Sequence, residues 1–280
     1  MEDAVEHAVS NPVDVRAARA WLLAHAVEGV DRVTAEAGGT TVTRRVGTAR
    51  GSVELAVVLA AGATPVLRVG GPGTEEAVEV GRRWLGVDLD VASGVAALGT
   101  DPVLGPLVAS RPHVRVPGAP DPFEAAVGII VGQHVSLVAG RVFAARLAAR
   151  GAAVRDLARA DPAAVRREVG VTGGRARSLV ALARAVEGGL DLGPQPDPIA
   201  RAEVRAGLLA LPGVGPWTAD LVAMRCLRDP DVFLPGDLVL RKALGGVPAA
   251  EAARLAEAWR PYRSLAVVHL WTRHALDPPR

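Results

Sequence analysis

Residues 209–220, Leu-Ala-Leu-Pro-Gly-Val-Gly-Pro-Trp-Thr-Ala-Asp, constrain the fold more than any other stretch of the chain. Prolines at 212 and 216 enclose glycines at 213 and 215, so one helix must stop there and another can begin directly after. Gly213 and Gly215 let the backbone turn tightly and come close to a ligand. Pro216 suits the first turn of the new helix, where a missing N–H costs nothing. The unpaired N–H groups at that helix start form a ready anion site, and a phosphate held by backbone amides is gripped whatever its base sequence. A plain helix turn stopped by Gly and Pro would use the same residues, so the motif needs support from elsewhere in the chain.

The rest of the chain limits what such a motif can serve. At 280 residues there is material for a substantial core split over two domains, and with only 3% aromatics, Ala, Val and Leu must fill it. A formal net charge of +2 is compatible with DNA as a partner without arguing for it. Lys242 is the one lysine, so a mechanism that needs a lysine nucleophile has a single candidate. Cys226 is the one cysteine, which excludes a disulfide framework, a cysteine zinc site and an iron–sulfur cluster within the chain. The acidic start Met-Glu-Asp-Ala-Val-Glu-His lacks the order of a signal peptide, and the apolar run 125–132 is too short to span a bilayer. These features predict a soluble, cytoplasmic protein.

Periodicity divides the chain in two. A helix over 14–27 precedes alternating stretches at 40–47, 52–60 and 65–69 that read as antiparallel strands, then a helix over 73–85. From residue 91 onward only helices follow, at 101–109, 121–150, 161–169, 174–187, 198–210, 217–228, 249–258 and 262–275. The expected fold class is therefore α+β and mostly α, with an N-terminal antiparallel α/β domain over 1–90 and a helical body over 91–280. The paired helices and their hairpin fall at about 201–228 of that body.

Asp237 stands twenty positions after Trp217, in Val-Phe-Leu-Pro-Gly-Asp-Leu. Two readings apply: an ordinary helix N-cap, or a carboxylate held at a defined angle to stabilise a developing cation or to activate water. Five of nine aromatics are tryptophan. Each is an ordinary core residue or, beside a pocket, a face on which a flipped or cationic base stacks. Gln133-His134 interrupts an apolar helical run, either satisfying a local hydrogen bond or marking a bend that reaches a ligand. The turn 169–175 presents amides to a phosphate or simply joins two helices. Arg241-Lys242 contact a DNA backbone or pair with Asp237. The histidines at 25, 113, 269 and 274 show no metal-ligand spacing.

The order and spacing of six blocks resemble the helix-hairpin-helix DNA glycosylases, and among them the 3-methyladenine DNA glycosylase II (AlkA) type. The blocks are 21–30, 121–127, 130–136, 211–219, 232–237 and 259–264, closed by His269-Leu-Trp271. The resemblance implies two helical subdomains flanking a central base-accepting cleft, with Asp237 as the catalytic carboxylate. It implies a base pocket of Trp21, Gln133, Trp217, Leu221, Trp271 and Thr272, with His134 as the wedge that enters the base stack. Gly213, Gly215 and Thr218 would contact phosphates. Main-chain carbonyls of Leu209, Leu211 and Val214 would hold a monovalent cation, Na+ or K+, while no cofactor is required and no iron–sulfur cluster is expected. The implied activity is a monofunctional hydrolase that flips and excises alkylated purines from double-stranded DNA, acting as a monomer in the bacterial cytoplasm. Relatives that also cut the strand carry a hairpin lysine; Trp217 occupies that place here. Leu221 and Thr272 stand where the type has pocket tyrosines, and His134 where it has leucine. Two alternatives therefore stay open: a glycosylase for neutral lesions such as hypoxanthine or ethenoadenine, and a non-catalytic binder of damaged DNA.

Overall fold

The computed structural model describes residues 4–36, 38–151 and 153–277; the first three residues of the acidic N-terminus lie outside it. The chain divides into two compact units. Unit 1 gathers residues 1–24, 32–120 and 230–280, and unit 2 gathers 25–31 and 121–229.

Unit 1 opens with strand β1 (Val5–Ala8) and helix α1 (Val15–His25), whose last residue belongs to unit 2. Strands β2 (Asp31–Glu36), β3 (Gly39–Thr48), β4 (Gly51–Ala60) and β5 (Val66–Gly70) complete a five-stranded sheet in the order β1-β5-β4-β3-β2. The pairs β1·β5, β4·β5 and β3·β4 are antiparallel, with Val42 opposite Val57 and Leu55 opposite Val69. Alternation puts Val53, Leu55, Val57 and Leu59 of β4 on one buried face, and Ala56 on the other face is buried as well. Helix α2 (Thr74–Leu85) covers the first of these faces with Ala77, Val80, Gly81, Trp84 and Leu85, a helical stripe. It comes so close at Gly81 that a Cβ there would sit 2.8 Å from Leu67 Cδ1. Short helices α3 (Ala92–Leu98) and α4 (Gly105–Ser110) follow.

Unit 2 is helical: α5 (Pro122–Val131), α6 (Leu137–Arg150), α7 (Val154–Ala158), α8 (Pro162–Val169), α9 (Gly173–Glu187), α10 (Pro198–Leu209) and α11 (Pro216–Arg225). Three of these begin with an Asp-Pro pair, whose carboxylates at Asp121, Asp161 and Asp197 accept backbone N–H groups in the first turn. The chain then returns to unit 1 as α12 (Leu238–Ala243), α13 (Ala249–Ala256), a short 3-10 turn (Glu257–Trp259) and α14 (Arg263–Leu276).

The expected single helix over 121–150 is corrected to two, α5 and α6. Gly132 caps the first, His134 adopts φ 54°, and the Ser136 hydroxyl accepts the Ala139 N–H to start the second. The polar pair Gln133-His134 marks the break in the sequence, but periodicity on either side of it reads as one helix. β1, β2, α3, α7 and α12 are absent from the sequence reading because four to seven residues carry too little periodicity to register. Among the described residues no helix is long and apolar enough to cross a membrane.

Candidate active site

Unit 2 carries the hairpin. Helix α10 runs into Leu211-Pro212-Gly213-Val214-Gly215, and α11 starts at Pro216 with Gly215 as its N-cap. Gly213 takes φ +75°, a left-handed turn open to glycine. Gly215 leaves open space where a side chain would stand. The Ser178 hydroxyl of α9 donates to Pro212 O at 2.6 Å and braces the hairpin from beneath. Nothing in the sequence singled out this serine, because its role depends on helices meeting in space. Gln133 Nε2 donates to Gly213 O at 3.3 Å and to Thr218 Oγ1 at 2.6 Å. The break between α5 and α6 thus ties into the hairpin, and Thr218 is buried with its hydroxyl already engaged. His134, next in the chain, is exposed at the turn. Arg205 donates to Asp220 at 2.5 Å and clamps α10 to α11. Trp217 is half-buried and Leu221, one turn on, is buried.

Of the carbonyls expected to hold a cation, Leu211 O accepts the Val214 N–H at 3.2 Å. Among the described residues no turn or cap hydrogen bond falls on Leu209 O or Val214 O. Main-chain carbonyls are hard oxygen donors of the kind a monovalent cation takes; Leu209 closes α10, and Leu211 and Val214 lie in the hairpin turn. No group of three His, Cys, Asp or Glu side chains gathers as a metal site among the described residues.

Unit 1 carries the carboxylate. Asp237 is the N-cap of α12 and its Oδ1 accepts the Leu240 N–H at 2.9 Å. The same oxygen accepts Trp271 Nε1 at 3.3 Å. Both donors fall on Oδ1, and Oδ2 receives no hydrogen bond among the described residues. The group is half-buried. A capping aspartate and a positioned carboxylate are therefore one residue. Among the described residues the three Asp-Pro caps receive no indole donor.

What aims Asp237 is the run before it. Arg263 holds Asp231 through both carboxylate oxygens, with Nε at 2.7 Å from Oδ1. Ser264 brackets the segment, its N–H donating to Pro230 O and its hydroxyl accepting the Val232 N–H, each at 3.0 Å. Since Arg263 and Ser264 open α14, the run 230–237 and Trp271 are referred to one helix. Trp271 in turn stacks on Trp21 of α1, with ring centroids 6.0 Å apart and 25° between planes. Thr272 is buried beside it in sequence. Asp14, at the start of α1, receives Arg111, which also reaches Asp277 beyond α14, so both tryptophan-bearing helices are pinned.

The five tryptophans sort into two kinds. Trp259 is buried, edge-on to Phe233, and donates to Asp101; Trp84 is buried under the Arg44 guanidinium. Trp21, Trp217 and Trp271 are half-buried. His269, two residues before Trp271, is 2% exposed, and burial pushes its imidazole down to about 4 against the opposing charge of Asp14.

The AlkA N-terminal domain family matches residues 5–121. The chain is 40% identical over 211 residues to a probable bifunctional transcriptional activator/DNA repair enzyme AlkA of Mycobacterium tuberculosis, covering 68% of this chain and 41% of that protein. It is 36% identical over 189 residues to DNA-3-methyladenine glycosylase 2 of Escherichia coli K12, covering 62% of this chain and 66% of the relative. The chain therefore spans about two fifths and about two thirds of these relatives' lengths. In structure it is similar to a 3-methyladenine DNA-glycosylase from Archaeoglobus fulgidus, with a TM-score of 0.78 over 97% of this chain and 99% of that one. Sequence identity there is 18%, so that likeness speaks to the fold.

Proposed function

The chain belongs to the AlkA-type family of helix-hairpin-helix DNA glycosylases, and from that membership we propose that it is a monofunctional glycosylase of DNA repair. It binds double-stranded DNA, excises alkylated purines such as 3-methyladenine, and leaves an abasic site.

The observation that carries this reading is the asymmetric carboxylate of Asp237. Backbone and indole N–H groups fix Oδ1, and Oδ2 is left to act. Cleavage of an N-glycosidic bond builds positive charge on the sugar, and a preorganised carboxylate beside it lowers that barrier. The same oxygen can orient or deprotonate the attacking water. An N3-alkylated purine already carries positive charge, so its departure needs little acid help. The stacked indoles of Trp21 and Trp271 offer a cation-attracting surface next to the carboxylate.

The hairpin supplies the grip. Amides around Gly213 and Gly215 meet phosphate, and the Thr218 N–H contributes while its buried hydroxyl and Gln133 hold the turn in shape. Carbonyls of Leu209, Leu211 and Val214 would hold Na+ or K+, which adds positive charge beneath the phosphate. His134, exposed at its left-handed turn, fills the gap left by an extruded base. Trp217 stands where lyase relatives carry lysine, and Lys242 lies exposed on α12 outside the hairpin. Strand cutting through a lysine Schiff base is therefore not expected.

The test is base release from methylated duplex DNA by the wild type and Asp237→Asn, with strand breaks scored before and after alkali. Release of methylpurines by the wild type alone, with breaks only after alkali, is the expected result. Equal release by Asp237→Asn would overturn the role of the carboxylate. Binding without release from methylated DNA, but with release of hypoxanthine or ethenoadenine, would move the substrate to neutral lesions. That outcome has its own support in Leu221 and Thr272, two buried side chains that offer no aromatic face to a cation.

A further inference from the structure

Many surface arginines of this chain are spent on carboxylates: Arg32 on Glu54, Arg68 on Glu6, Arg159 on Glu187, Arg260 on Asp231. Around one turn of unit 2 they are not. Arg166 and Arg167 close α8, and Arg175 and Arg177 open α9. Among the described residues none of these four guanidiniums meets a carboxylate. The neighbouring Glu168 is taken by Arg150.

Three of these side chains, Arg166, Arg167 and Arg177, converge. Arg166, Arg167, Gly170, Val171, Thr172 and Gly173 line an open depression of about 610 Å3. A Cβ built on Gly173 would stand 3.7 Å from Arg177 Nη1 and 3.9 Å from Arg166 Cδ. One built on Gly170 would stand 2.8 Å from Arg146 Nη1, which also donates to Val169 O. Arginines therefore surround a glycine turn, with Arg146 and the Phe143 ring edge packed against Gly170. The depression offers an anion several guanidinium forks.

The same helix connects this turn to the hairpin. Ser178, which braces Pro212, lies five residues beyond Gly173 on α9. Five residues of helix span about 8 Å, comparable to two base steps of a duplex at about 3.4 Å each. We propose that Arg166, Arg167 and Arg177 around the Gly170–Gly173 turn form a second phosphate-binding site, which extends the hairpin's grip along the backbone of the same duplex. This rests on the reading that the hairpin binds DNA, and it concerns affinity and footprint rather than base release.

The probe is a duplex of about 24 base pairs carrying an abasic-site analogue, and the readout is affinity as a function of salt from about 50 to about 200 mM. Each phosphate contact contributes about 0.9 to the slope of log K against log salt. Arg166→Ala/Arg167→Ala/Arg177→Ala is expected to reduce the slope by about 2–3 and weaken binding at low salt by tenfold or more. The matching Lys variant at the three positions keeps the charge and restores most of the slope. Arg50→Ala/Arg68→Ala/Arg82→Ala removes the same charge from unit 1 and shifts the slope by less than about 1. Equal shifts in the two Ala triples, or none in the first, would overturn the proposal. If instead the wild type releases no base of any kind while the slope shift persists, the glycosylase reading fails and the second anchor stands.

Discussion

Gly213→Ala tests whether the hairpin is held as described. Gly213 sits at φ +75°, where an L side chain costs about 1–2 kcal/mol. Its new Cβ would lie 2.5 Å from Ser178 Oγ, so the hydroxyl must turn away and release Pro212 O. Losing that bond adds about 0.5–1.5 kcal/mol, for a total of about 2–3 kcal/mol. In a Ser178→Ala background the conflict is gone, because the two Cβ atoms would stand 3.8 Å apart, an ordinary contact. There the glycine substitution costs the backbone term alone, and the double-mutant cycle gives a coupling of about 1 kcal/mol. Urea unfolding of the four proteins, compared at constant slope, measures it. A cost for Gly213→Ala below about 0.5 kcal/mol, or an equal cost in both backgrounds, would refute the account. The same variant is expected to weaken duplex binding by at least tenfold, since the turn that presents the amides has shifted.

Two further predictions concern unit 1. The folded imidazole of His269 is depressed to about 4 from its ordinary 6.5, so its contribution is complete above pH 6.5 and is lost as pH falls toward 4. The wild type should lose about 2 kcal/mol between pH 7 and pH 5 from this group; His269→Leu, followed by urea midpoints at both pH values, should lose about that much less. Trp271→Phe keeps a ring against Trp21 but removes the 3.3 Å indole donor to Asp237. Base release at saturating substrate should fall about tenfold, worth about 1.4 kcal/mol, with KM changed less than threefold; an unchanged rate would deny the indole its positioning role.

Much of this was legible along the chain. Gly and Pro at 212–216 stop one helix and start the next because their backbone limits are local. The alternation of β4 and the stripe of α2 identify their buried faces, since burial follows strand and helix periods. The Asp-Pro starts announce α5, α8 and α10 for the same local reason. The break at Gln133-His134 was visible as a polar interruption, but its size was not. A helix end set by one left-handed residue and one capping hydroxyl leaves no periodic trace.

Local sequence was enough to set the hairpin, the strand faces and the presence of Asp237, each a matter of residues within a few positions of one another. Packing in three dimensions was needed for Asp237 to cap α12 through the oxygen that also meets Trp271, thirty-four positions away. It likewise selected Trp21 and Trp271 as the half-buried stacked pair while Trp84 and Trp259 entered the core. It put Ser178 beneath the hairpin and gathered unpaired arginines at the Gly170–Gly173 turn. The reason is range: backbone preference and periodicity act over one or two turns, whereas a hydrogen bond or a stacked ring needs only proximity, which packing supplies from any distance along the chain.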